Sequence, residues 1–107
     1  MRKANILVNG RLCGILTEYQ KNKEYGFKYL AGYMGPVVSL TMPLSDQEYL
    51  FAGFPPFFDG LLPEGVQLDA LLRLAKLDSN DYFGQLLVVG ADLVGYVTVE
   101  PADEVTS

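Results

Sequence analysis

The chain has 107 residues, of which half are hydrophobic and 20% are charged; this is the balance of one globular domain and excludes a disordered segment. Its net charge of −5 is the opposite of the basic footprint of a free-standing nucleic-acid binder, so direct base readout is not expected, and the charge fits either a basic protein partner or simple solubility. With no histidine and one cysteine, the chain has no internal disulfide, no Ser-His or Cys-His nucleophile and no His-containing metal site.

Residues 6–8 form the first strand candidate. Asn9-Gly10 follows it, and this pair between apolar runs is the strongest short hairpin signal because both residues tolerate positive φ. The run is too short for a signal peptide. No stretch reaches the ~18–20 apolar residues of a membrane span, so a cytoplasmic protein without membrane contact is expected. The return strand covers 12–17. Cys13 within it reads as a small buried hydrophobe, and a lone thiol suits a reducing compartment. Gly14 signals a bulge or a close backbone approach. After a polar turn at 20–24, residues 25–29 alternate aromatic with small or polar side chains, the period of a third strand. Tyr19, Tyr25, Tyr29, Tyr33 and Tyr49 read either as residues on the half-exposed face of a sheet or as interface tyrosines.

A turn at 33–36 precedes an extended apolar segment at 37–42, which stops at Pro43. Ser45 with Glu48 three residues on has the form of a capping box. Gly53 and Pro55-Pro56 limit whatever begins there to one short turn. Residues 57–62 can form a helical turn ending before Pro63. Over 66–77, Leu68, Leu71, Leu72 and Ala75 recur at helical spacing. Asp78 to Asp81 supply the next break and cap. Residues 82–89 place Phe83, Leu86 and Leu87 on one helical face and end at Gly90, a C-cap signal. A turn at 92–95 leads to a closing strand at 96–99, and an acidic tail over 101–107 is expected to fray. The order of strands, helices and one last strand gives an α+β fold. Its small antiparallel or mixed sheet consists of an N-terminal three-strand meander plus the C-terminal strand, with two or three short helices, in a single domain over 1–107.

Constellations for catalysis are missing. The 13 acidic residues include no Asp-x-Asp pair or cluster at metal spacing, and no glycine-rich phosphate loop opens a helix. No enzyme activity, metal or other cofactor is expected. The unusual segment is 54–65, with three Phe, three Pro and two Gly in twelve residues. Its prolines and glycines specify a particular backbone shape. Phe57, Phe58, Leu61 and Leu62 read as anchors to the core. The tip, Pro63-Glu64-Gly65, reads either as a plain turn or as a recognition element whose rigidity lowers the ordering cost of binding.

Taken in order, "VNGRLCGIL", "FKYLAGY", "VSLTMPL", "PPFFDGLLPEG" and "LLVVGADLVGYVTV" resemble the N-terminal subdomain of HipA-type serine/threonine kinases, the toxins of HipBA toxin–antitoxin systems. The chain departs from the common pattern at Asp59-Gly60, Ala91 and Gly95-Tyr96. Such kinases continue into a nucleotide pocket and catalytic aspartates, whereas this sequence stops at Ser107. In this it resembles the HipS-like antitoxins of three-gene HipBST systems. The resemblance implies a protein that binds and inhibits a HipT-like serine/threonine kinase, in a ternary complex with a HipB-like helix-turn-helix protein. The alternative is a passive subunit that completes the kinase fold. Kinase contacts are then expected from Phe58, Asp59, Pro63, Glu64, Gly65, Val66 and Gln67.

Overall fold

In the computed structural model, which describes residues 1–93 and 95–102, a two-residue turn sets the register of the first hairpin. Asn9 and Gly10 take φ of 53° and 79°, the positive pair that a tight hairpin turn demands. They join β1 (Arg2–Val8) to β2 (Arg11–Gln20). Leu7 faces Leu12 but Ile6 faces Gly14, so Cys13 is the extra residue of a bulge. Gly14 is required there: a Cβ would lie 2.7 Å from the Lys28 carbonyl oxygen and equally close to the Phe27 ring. β3 (Glu24–Tyr29) pairs antiparallel with β2, with Tyr25, Phe27 and Tyr29 all turned into the core. These tyrosines, and Tyr33 with them, are thus buried rather than on a half-exposed face.

The stretch after β3 differs from the sequence expectation. Residues 37–42 form no strand; Ser39 and Met42 merely bridge across a tight turn. Ser45 caps no helix, and its Oγ accepts from Gln47 N. Instead Tyr49–Phe51 forms β4 on the free edge of β3. Pro43 and the Gly53 to Pro56 breakers leave too few residues to repay helix nucleation, so the open edge captures the backbone.

Three helices follow: α1 (Pro56–Asp59), α2 (Gly65–Ala75) and α3 (Tyr82–Val89). Asp81 caps α3 as its position suggests, accepting from Gly84 N at 3.1 Å. Gly90 is no left-handed C-cap. Its φ is −56°, and the chain runs on through a single 3-10 turn, Gly90–Asp92. Glycine is needed there because a Cβ would stand 2.2 Å from the Val99 carbonyl oxygen. β5 (Val97–Pro101) pairs antiparallel with β1, giving the order β4-β3-β2-β1-β5. The sheet is wholly antiparallel and has five strands. The tail expected to fray from residue 101 is paired at its start: Pro101 ends β5 opposite Ala4, and Ala102 N donates to Lys3 O at 3.2 Å; residues 103–107 lie outside the described residues.

One sheet face (Ile6, Leu16, Tyr25, Phe27, Val97, Val99) packs on Phe58, Phe83 and Leu86 to form the core. Burial pushes the Cys13 thiol up to about 11 from 9.0. It likewise pushes the Tyr25 hydroxyl up to about 12 from 10.0. A folded value above the unfolded one means that the stabilisation is whole below the unfolded value and lost as pH rises through the folded one. The urea midpoint is expected to hold between pH 7 and 8 and to fall steadily between about pH 9 and 12; a midpoint still flat at pH 11 would contradict this account of the core.

Candidate docking surface

The segment from α1 through α2 leaves the core quickly. α1 is one turn between Pro55 and Gly60, and its inward residue is Phe58. This side chain has no exposed surface and meets the Phe27 ring with centroids 6.1 Å apart. Phe58 therefore belongs to the core, and its expected place among the partner contacts is corrected. Phe57, Leu61 and Leu62 pack partly against the same cluster, as anchors should. Asp59, Glu64, Gly65, Val66 and Gln67 are exposed, and Pro63 is half-buried between them. Glu64 occupies the N-cap position of α2, yet its side chain makes no capping hydrogen bond, which leaves the carboxylate free for another molecule. Gly65 has φ of 62° with no atom near its absent Cβ. The glycine is there for backbone shape alone.

α2 is the odd element. Eleven residues long, it has no buried residue. Leu68, Leu71, Leu72 and Ala75, the expected stripe, are only half-buried. A second apolar line runs along the helix at Val66, Ala70 and Leu74, spaced i, i+4, i+8. Val66 is 82% exposed and Leu74 83%. A helix apolar on two sides normally sits inside a protein; this one lies on the surface. Sequence reasoning passed over Leu74 because it lies off the 68–71–72–75 stripe. The signal was present as an apolar residue on the side that solvent should claim.

Beside the loop, Leu61, Leu62, Pro63, Gln67, Val89 and Leu93 line a groove of about 430 Å³. The surrounding charges are mainly acidic. Six of the eight basic residues fall in the first 28 positions, whereas eleven of the thirteen acidic ones come later. Asp59, Glu64 and Asp69 belong to this loop-and-helix segment and Asp92 lines the groove beside it, against Arg73 in α2 and Lys76 at its C-cap. Among the described residues, no cluster of three or more Cys, Asp or Glu is placed to hold a metal ion. No helix among them is long and apolar enough to cross a membrane.

These features define a small antiparallel α+β domain that displays a surface helix with exposed apolar residues beside a proline- and glycine-bounded loop. The profile of the HipA N-terminal domain matches residues 4–100, and the chain belongs to that family. An uncharacterised protein of Haemophilus influenzae is similar to it, with 26% identity over 100 residues, 94% of this chain and 92% of that one. Among solved structures, the N-terminal domain of HipA toxin superposes with a TM-score of 0.74 at 23% identity, covering 97% of this chain and 95% of the other. That likeness is one of fold.

Proposed function

We propose that this protein is a HipS-like antitoxin: it docks on a HipT-like serine/threonine kinase of the HipA family and suppresses it, without catalysis of its own. The observation that carries this reading is the exposed apolar line Val66–Ala70–Leu74 on α2, next to the free carboxylate of Glu64. A family whose founding proteins are kinases supplies the partner class. Phosphoryl transfer needs lobes that close over ATP and a correctly placed catalytic loop. A rigid loop with an acidic tip and an apolar helix behind it suits a kinase cleft lined with phosphate-binding cations. Occupying the cleft or wedging the lobes apart would each stop turnover. A HipB-like helix-turn-helix protein completes a ternary complex in the cytoplasm and supplies operator binding, since this acidic chain reads no bases.

The test is co-expression with the kinase, together with a titration of the purified pair. The wild-type chain is expected to bind, to block phosphotransfer and to restore growth. The double substitution Val66→Ser and Leu74→Ser alters two residues that touch little of the fold, so thermal stability stays within about 0.5 kcal/mol. Affinity falls tenfold or more and growth rescue is lost. A stable complex with undiminished phosphotransfer would replace the antitoxin with a passive subunit that completes the kinase fold.

A further inference from the structure

Between β3 and β4 runs a long irregular segment, residues 30–45, and none of the chain's charged residues falls in it. It is nonetheless held firmly. Four tyrosine hydroxyls, from different parts of the chain, donate to its backbone carbonyls. Tyr33 reaches Pro36 O at 2.6 Å, Tyr49 reaches Pro43 O at 2.6 Å and Tyr96 reaches Val38 O at 3.1 Å. Tyr29 donates to Met42 O and accepts from Val38 N. Val38 and Met42 are buried beneath these clamps. On the outside, Met34 is 81% exposed and Leu40, at the tip of the Ser39–Met42 turn, is 93% exposed. Nothing in the fold calls for large apolar side chains at either position.

A backbone fixed this way has already met most of the ordering cost of binding, and its apolar knobs gain only when another molecule takes them out of water. We propose that residues 30–45 form a second docking element, which inserts Leu40 and Met34 into an uncharged apolar pocket of the same kinase partner. This rests on the kinase reading above. Charge selects the occupant. The segment offers nothing to a charged surface, so its counterpart on the partner is apolar, while the acidic α1–α2 surface meets the partner's basic groups. A lipid surface fits less well, because membrane-inserting loops are flanked by cations. Here the charges beside the segment balance, Asp46 and Glu48 against Lys28, which donates to the Asp46 carbonyl, and Arg11, which lies over the Tyr33 ring 5.4 Å from its centroid, so there is no cationic excess for anionic headgroups.

The experiment compares the double substitution Met34→Ser and Leu40→Ser with the Val66→Ser and Leu74→Ser pair, both measured against the purified kinase. The loop pair is expected to leave the melting temperature unchanged and to weaken kinase binding tenfold or more, chiefly through faster dissociation. Combined with the α2 pair, its effect should add, as for separate contacts. If the α2 pair weakens binding and the loop pair does not, the loop proposal is overturned while the kinase reading stands. If the wild-type chain does not bind the kinase, the kinase reading fails and takes this proposal with it. Two further results would overturn it: co-sedimentation with phosphatidylcholine–phosphatidylglycerol vesicles that the loop pair abolishes, or wild-type self-association that the loop pair abolishes.

Discussion

Replacing Phe58 with Ala is expected to cost about 3–5 kcal/mol of folding stability, which is much of the ~5–15 kcal/mol that a domain of this size has. Phe58 is the only buried residue of α1, and α1 is a single turn between two breakers. The ring sits edge-on to Phe57, with centroids 5.2 Å apart, and tilts against Phe27 at 6.1 Å. Truncation opens a ring-sized cavity that no neighbour on the rigid sheet can fill, and it releases the end of the segment that carries Pro63 and Glu64. The measurement is urea denaturation, with a lowered midpoint and an unchanged slope. A loss below about 1 kcal/mol would mean that the loop hangs from Leu61 and Leu62 instead. Because this variant unfolds, it cannot test the proposed kinase inhibition, which is why Val66 and Leu74, not Phe58, probe the proposed docking surface.

The elements that could be read from the sequence are those whose signal is local. Asn9-Gly10 fixes a hairpin by its own backbone preference, and Asp81 caps α3 through a contact three residues away. The alternation over 25–29 sets β3 before any partner strand is known. β4 was hidden for the opposite reason. Tyr49, Leu50 and Phe51 are too few to show a period, and they become a strand only because β3 has a free edge beside them. Burial of Tyr25, Tyr29 and Tyr33 is likewise tertiary. Each hydroxyl finds a partner, Glu18, Met42 or Pro36, that is distant in sequence or held by the fold, and a satisfied phenol is free to enter a core. Gly90 was rightly singled out but for the wrong property, since what matters is the space its missing Cβ leaves for Val99. In the candidate docking segment, the exposure of residues 64–67 follows their proline- and glycine-bounded, partly polar composition. Phe58 was not separable from them, because a core ring and a contact ring look alike until the helix is placed.

Arg2→Met is expected to destabilise the domain by about 2–3 kcal/mol, and the reason lies in what it leaves behind. The guanidinium donates to Glu18 through Nε at 2.7 Å and Nη2 at 3.0 Å, and to Asp81 Oδ1 at 2.7 Å. It also lies over the Phe83 ring, 5.2 Å from the centroid. Glu18 is 6% exposed, and without Arg2 its charge keeps only the Tyr25 hydroxyl at 3.0 Å. Stranding a buried charge costs more than the pair was worth. The cost falls below that of a fully buried pair because the arginine side chain is itself 38% exposed. The Arg2 hydrogen bond holds the Asp81 carboxyl below its ordinary 3.8. A lowered folded value contributes stability above the unfolded value, lost as pH falls through the folded one. Urea midpoints of wild type and Arg2→Met should therefore differ most near pH 7 and converge below about pH 4; a gap that stays constant down to pH 3 would remove Asp81 from the account. Because Asp81 also caps α3, the same ion pair ties the helical layer to the edge of β1 and β2. Amide exchange over Tyr82–Val89 should accelerate in the variant, and with α3 loosened α2 loses the support that holds Val66 and Leu74 outward. A contact at the second residue of the chain would thus bear on the proposed docking through the fold, which separates it from substitutions on the candidate surface: any loss of affinity for the proposed kinase partner should shrink as temperature is lowered and the helices re-form.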